Sequence, residues 1–283
     1  MRPMGKLSLS LFALGVAACG SDNKGTADAG KTFMDAPPKV FMDAPPKVFM
    51  DAPPVNYDFT CFGVTPPTTA PANLTFGGTT ETINVQTMMQ EGVPAATVTS
   101  FKVGNATAID TVMSDANGAF TTGQLATGGV PLDGYVRASK DGYRTTYIYP
   151  PNPLAANASN VPVLMLTEAT FGLLLQFVLM TTQDDTTNGF LLVQITDCAA
   201  TPNGIAGATL TVKQGGNAVG TVTDFSQYNA GTFAVTNVPE GDTTIQATYN
   251  SMTFPARVVG AFKKPSGNGA TGTITATILR PGP

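Results

Sequence analysis

From about residue 62 to the C-terminus the chain consists of short runs rich in Val, Thr and Ile, broken by Gly, Asn, Asp and Pro. Period-two alternation over such short runs predicts half-buried strands, and turn residues this frequent predict an all-β sandwich architecture. After Asp141-Gly142, for example, Tyr143, Thr145, Tyr147 and Tyr149 fall on one side, Arg144, Thr146 and Ile148 on the other, and Pro150-Pro151 ends the run. Asn117-Gly118 suits the positive φ values of a tight hairpin turn, with Val112 and Phe120 in the flanking strands. One segment, residues 167–180 (TEATFGLLLQFVLM), has a different period. There Thr167 suits a cap, Glu168 suits the positive end of a helix, and Phe171, Leu174, Leu175, Val178 and Leu179 share a face. Leu173 and Phe177 widen that apolar surface. At about three turns the helix is short for a bilayer and too apolar for water, so it is expected to be buried between two domains and to cement them. The alternative is a site for a partner or a lipid.

The N-terminus follows other rules. A short positive segment holding Arg2 and Lys6 precedes LSLSLFALGVAAC, an apolar run with a small-residue cleavage site and too short to span a bilayer. The sequence from Val16 through Ala17 and Ala18 to Cys19 resembles the lipobox of bacterial lipoproteins. The resemblance implies cleavage after residue 18, lipid on Cys19, and attachment to a membrane through acyl chains. The alternative is an ordinary secretory signal that leaves Cys19 as an odd thiol. Gly20 and Ser21 follow, without the Asp that the family uses for inner-membrane retention, which favours lipid anchoring at the cell outer membrane. From Phe33 the chain then reads FMDAPPKV, FMDAPPKV and FMDAPPV. Paired prolines at this spacing fix φ and remove donors, so residues 19–61 are expected to form a disordered, extended Pro-rich tether. Phe33, Phe41 and Phe49 are apolar for a spacer; docking to a partner is the alternative use for them.

Beyond the tether two stretches resemble one another. GVPAATVT from Gly92 matches GIAGATLT from Gly204, and GGVPLDGYVRA from Gly128 matches NVPEGDTTIQA from Asn237, in the same order and at nearly the same spacing. Domains are therefore expected at residues 62–166 and 189–283, with residues 167–188 as connecting helix and loop. The series GVPAATVT, SDANGAF from Ser114 and PLDGYVRASKDGYRTT from Pro131 is similar to the carboxypeptidase regulatory-like domain. That resemblance implies an Ig-like, prealbumin-like sandwich for each domain. It is looser in the second, which lacks the Gly-Tyr of Gly142 and Tyr143, and Asp133 departs from the family's glycine in the first. In that family the modules accompany enzymes and surface proteins without being the catalytic part.

Composition narrows the chemistry. The chain has no His, which excludes Ser-His-Asp and Cys-His catalysis and imidazole metal sites. Its 19 Asp and Glu include no pair in a recognisable catalytic frame, so no enzyme activity and no cofactor are expected, with a carboxylate-dependent hydrolase as a remote alternative. The net charge of −4, more negative still once Arg2 and Lys6 leave with the signal, disfavours nucleic acid as a partner. With Cys19 lipidated, Cys61 and Cys198 form an even pair in an oxidising compartment, and a disulfide between them would pin the end of the tether to the second domain. Two separate buried thiols are the alternative.

Three weaker site candidates remain. Asp115 and Asn117 offer oxygen ligands to calcium but lack a full binding loop, so a plain hairpin is favoured; Asp184, Asp185 and Asn188 form a similar loop. Tyr143, Tyr147 and Tyr149 would suit stacking on a glycan if they were exposed. The Lys-to-Asn cross-link of similar-looking adhesin repeats needs a buried Lys, an Asn and a carboxylate together; Lys102 and Lys140 lie in or next to expected strands, though spacing singles out neither. The expected function is a non-catalytic, lipid-anchored envelope protein displaying two sandwiches in a structural or adhesive role. A glycan- or peptide-binding module of an envelope complex is the alternative.

Overall fold

The computed structural model describes residues 55–84, 87, 89–267 and 269–282. The segment expected to be a signal, Cys19 and the FMDAPP repeats lie outside them. The described chain is nearly all β. Its first half carries β1 (Asn73–Leu74), β2 (Phe76–Asn84), β3 (Met89–Gly92), β4 (Thr97–Lys102), β5 (Ala108–Met113), β6 (Ala119–Thr121), β7 (Leu125–Ala126), β8 (Gly134–Ser139), β9 (Thr145–Tyr149) and β10 (Ala158–Leu164). Helix α1 (Glu168–Leu173) and a π-helical turn (Leu174–Leu179) follow. The second half carries β11 (Asn188–Ile195), β12 (Thr209–Gln214), β13 (Asn217–Ala218), β14 (Thr221–Asp224), β15 (Thr232–Pro239), β16 (Gly241–Tyr249), β17 (Met252–Thr253), β18 (Arg257–Ala261) and β19 (Thr273–Leu279).

One eight-stranded sheet runs through both halves in the order β14-β15-β11-β19-β9-β8-β4-β5. In the first half it faces a sheet of β10, β2, β3 and β6, and the core between them holds Phe76, Val98, Phe120, Val136 and Val163. In the second half it faces β13, β12, β16, β17 and β18 across a core of Leu191, Val193, Val212, Phe233, Ile245 and Val259. The joint is the last strand: β19 lies parallel to β11 on one side and parallel to β9 on the other, pairing Thr275 with both Leu191 and Tyr147. Central parallel strands are covered on both faces, so their sequences lose simple alternation. In β11, Leu191, Val193 and Ile195 enter the second-half core while Phe190 and Leu192 pack on the opposite face.

That opposite face is where the helix sits. Thr167 caps it by accepting from the Thr170 amide. Phe171 and Leu179 pack with Leu164, Leu166, Phe190, Phe225, Ala234 and Ile274. Burial is one-sided: Leu173, Phe177 and Met180 are 42%, 61% and 83% exposed. The helix thus covers the outer face of the shared sheet, and strand pairing supplies the continuity between the halves. No helix among the described residues is long and apolar enough to cross a membrane.

The Asn117-Gly118 turn also differs from a simple hairpin. Only Gly118 takes positive φ, 81°, and the strands on either side belong to different sheets, since β5 pairs with β4 and β6 with β2. The segment is a corner between layers. Its glycine is needed for close backbone approach: a side chain at Gly118 would run into the Thr80 carbonyl, and one at Gly92 into the Asn117 carbonyl. The second half repeats the device, with Gly204 against Ala230 and Gly231 against Ile195 and Ile205.

Candidate functional site

Four groups of chemistry-bearing residues stand out. The first lies at the N-terminal end of the described chain, around residues 57–61. Cys61 and Cys198 are bonded, with Sγ atoms 2.03 Å and Cα atoms 5.7 Å apart. Around them the chain forms a strap on the second half: the Cys198 amide donates to the Asp58 carbonyl at 2.8 Å, and the Asp58 amide to Asp197 Oδ2 at 3.1 Å. Asp197, fully buried, also accepts from the Asn203 amide (2.8 Å) and Asn203 Nδ2 (2.9 Å). Tyr57 and Phe59 pack on Tyr249, at 5.6 Å edge-on and 5.7 Å stacked, and the Tyr57 hydroxyl accepts from the Ala206 amide. Hydrogen bonds from the Thr60 amide and hydroxyl hold the Asp58 carboxyl below its ordinary value.

The second group is the tyrosine stripe, and it does not form a platform. Strand β9 is interior, between β8 and β19, so both of its edges are paired. Tyr149 is 4% exposed in the second-half core. Tyr147 stacks on Phe262 with ring centroids 3.8 Å apart. Burial raises the hydroxyl pKa of both. Tyr143 lies before the strand and packs against the first-half core instead. Alternation put Tyr147 and Tyr149 on one face, but that face is core.

The calcium candidates hold turns together. Asp115 Oδ1 accepts from the Asn117 amide at 2.8 Å and the Ala119 amide at 2.9 Å, which uses the carboxylate to close the corner. Asp184 does the same with the hydroxyl and amide of Thr186 and the hydroxyl of Thr187, which lower its pKa. Among the described residues no three His, Cys, Asp or Glu side chains group as metal ligands. Lys102 is exposed, and Lys140 Nζ donates to the Pro94 carbonyl at 2.7 Å.

The fourth group had no sequence signal. Arg144 is 1% exposed, with Nη1 3.0 Å from Glu168 Oε2 and Nη2 2.5 Å from Asp185 Oδ1. Its guanidinium carbon lies 3.6 Å over the Phe171 ring, and Glu168 Oε1 accepts from the Gly272 amide at 2.7 Å. The cation just before β9 therefore ties the helix start to the loop before β11, and Glu168 extends the link to the approach to β19. A lone Arg in an alternating strand gives no warning of this, because its partners are brought together only by the fold.

No family model and no curated protein sequence matches the chain. Among solved structures it is similar to the Bacillus anthracis TIE protein (13% identity, TM-score 0.24), over 73% of this chain and 34% of that one. It is also similar to GBS52, the minor pilin of Streptococcus agalactiae (9%, TM-score 0.24; 73% and 95% of the two chains). A third is the shaft pilin spaA of Lactobacillus rhamnosus GG (12%, TM-score 0.23; 75% and 99%). The chain spans about a third of the TIE protein structure.

Proposed function

We propose that this is an exported, lipid-anchored envelope protein in which a proline-rich tether presents a rigid double sandwich for structural or adhesive work at the outer membrane. The strap carries this reading. A disulfide suits an oxidising compartment outside the cytoplasm, and here it bonds the end of the tether to the body beside a central strand. A pull on the tether therefore reaches the shared sheet through a covalent bond. The lipobox-like segment ending at Cys19 supplies the anchor in this reading, and the absence of His, with Asp115 and Asp184 holding turns and Glu168 and Asp185 paired to Arg144, supports a non-catalytic role.

The test is mass spectrometry of the mature N-terminus together with membrane fractionation. The expected result is a chain beginning at Cys19 with diacylglycerol and an acyl group, found in the outer-membrane fraction and released as soluble protein by Cys19→Ser. An unlipidated N-terminus on a freely soluble native chain would overturn the reading.

A further inference from the structure

A polar hollow of about 490 Å³ opens where the β8–β9 turn meets the start of β4 and the loop that leads into β19. Its walls include Thr97, Ser139, Lys140, Asp141, Tyr143 and Thr145. The Thr271 hydroxyl donates to the Tyr143 carbonyl at 2.6 Å and fixes the far loop against the turn. The volume lies within the range of small-molecule sites.

We infer that this hollow binds a short neutral saccharide. Three observations lead there. First, the hydroxyls of Thr97, Ser139 and Thr145, the Tyr143 phenol and the Asp141 carboxylate make no hydrogen bond within the described residues. The residues that carry these five groups line one volume, and a sugar ring offers dense hydroxyls to match them. Second, the half-buried Tyr143 gives this polar hollow an aromatic wall, which suits the apolar C–H surface of a pyranose. Third, the lining carries one charge of each sign: Asp141, and Lys140, whose Nζ lies 5.6 Å from the Tyr143 ring centroid and donates to the Pro94 carbonyl. A neutral ligand is therefore favoured over an anion. At the rim Ala95 holds φ at 54°, a strained value for a residue with a side chain, of the sort that collects at binding sites. Of the tyrosine stripe, only Tyr143 is placed for such contact.

This deepens the adhesive reading by giving it a ligand class and rests on that reading only for its biological use. The test is saturation-transfer NMR on the full chain carrying Cys19→Ser, with methyl glucoside, methyl galactoside, methyl mannoside and N-acetylglucosamine at millimolar concentration, and glucuronate and tetra-alanine for comparison. Transfer to ring C–H protons of at least one neutral sugar is expected, exceeding that to glucuronate. Ala270→Arg, on the exposed loop, should fill the hollow and abolish the signal, and Asp141→Ala should weaken binding about tenfold. Asp141 is an exposed turn residue and Ala270 is half-buried in the loop before β19, and unchanged melting temperatures will establish that the variants fold. Silence with all four sugars, equal transfer in Ala270→Arg, or transfer only to glucuronate or to the peptide would each overturn the inference. Membrane fractionation reads anchoring separately, so a silent hollow and an unanchored chain are distinct results.

Discussion

Arg144 shows how much one side chain can bind together in this fold. Its charge is buried, so its stability depends on Glu168, Asp185 and the Phe171 ring remaining in place. Removing one partner of a buried ion pair is strongly destabilising. Both carboxylates can still reach water here, at 49% and 22% side-chain exposure, which moderates the loss. Arg144→Met should therefore cost about 3 kcal/mol, at the low end of the usual range, read as a lower urea midpoint. Glu168→Gln and Asp185→Asn should each cost less and couple to Arg144 in double-mutant cycles; a wild-type midpoint for Arg144→Met would show the cluster to be dispensable. Glu81 acts in the opposite sense. It sits half-buried in β2, and burial raises its pKa. A raised folded value means that the protonated group stabilises the fold: the contribution is complete below the ordinary carboxylate pKa and is lost as pH climbs through the folded value. Glu81→Gln should therefore raise the melting temperature at neutral pH, with the gain vanishing in acid. Neither role was legible in the sequence, where Arg144 and Glu81 are charged residues in polar-rich strands. The same holds for Thr146, Thr275 and Thr277, which resemble solvent-facing strand residues but are buried, with hydroxyls donating to the Leu164, Gly260 and Tyr149 carbonyls at 2.7, 2.8 and 3.0 Å.

Among the elements, the helix was the most legible because its apolar period and its cap are local signals. The sequence could not say which part of so apolar a surface would be covered. Phe171 lies edge-on to Phe190 at 5.0 Å, against the outer face of the shared sheet, while Phe177 points to solvent from the π-helical turn. Two aromatic residues of one segment should then respond in opposite ways. Phe171→Ala removes a 2%-exposed ring that also underlies Arg144 and should cost about 3 to 5 kcal/mol. Phe177→Ser should shift stability by no more than about 0.5 kcal/mol. Comparable losses at both positions, measured by urea unfolding, would mean that the helix is enclosed all round. The corner at Asp115–Gly118 was half legible in the same way. Its turn residues announced a reversal, but which sheet each arm joins depends on neighbours distant in sequence.

For the whole molecule, alternation tells which way a side chain faces but not which strand lies alongside. A parallel strand is the hardest case, because no turn connects it to its neighbours. Strand β19 is that case twice over, and its position makes the halves interdependent. It contributes Leu279 to the second-half core, Ile274 to the cluster under the helix, and the Thr277 hydroxyl to the Tyr149 carbonyl of the first half. Hydrogen exchange should therefore report one common opening free energy for the amides of β8 and β9 and those of β11 and β15. The disulfide adds a second constraint across the same body. It joins residues 137 apart in sequence, and closing so long a loop limits the unfolded chain by about 4 to 5 kcal/mol in the chain-entropy account. Reduction, or the paired Cys61→Ser and Cys198→Ser variant, should lower the urea midpoint by a corresponding amount while leaving unfolding a single transition, since the sheet through β19 is untouched. Deleting residues 273–283 should do the reverse: the disulfide persists, but β9 and β11 lose their shared neighbour and protection falls in both halves together. If that truncation left β8 and β9 protected as before, the sandwiches would be independent bodies in contact.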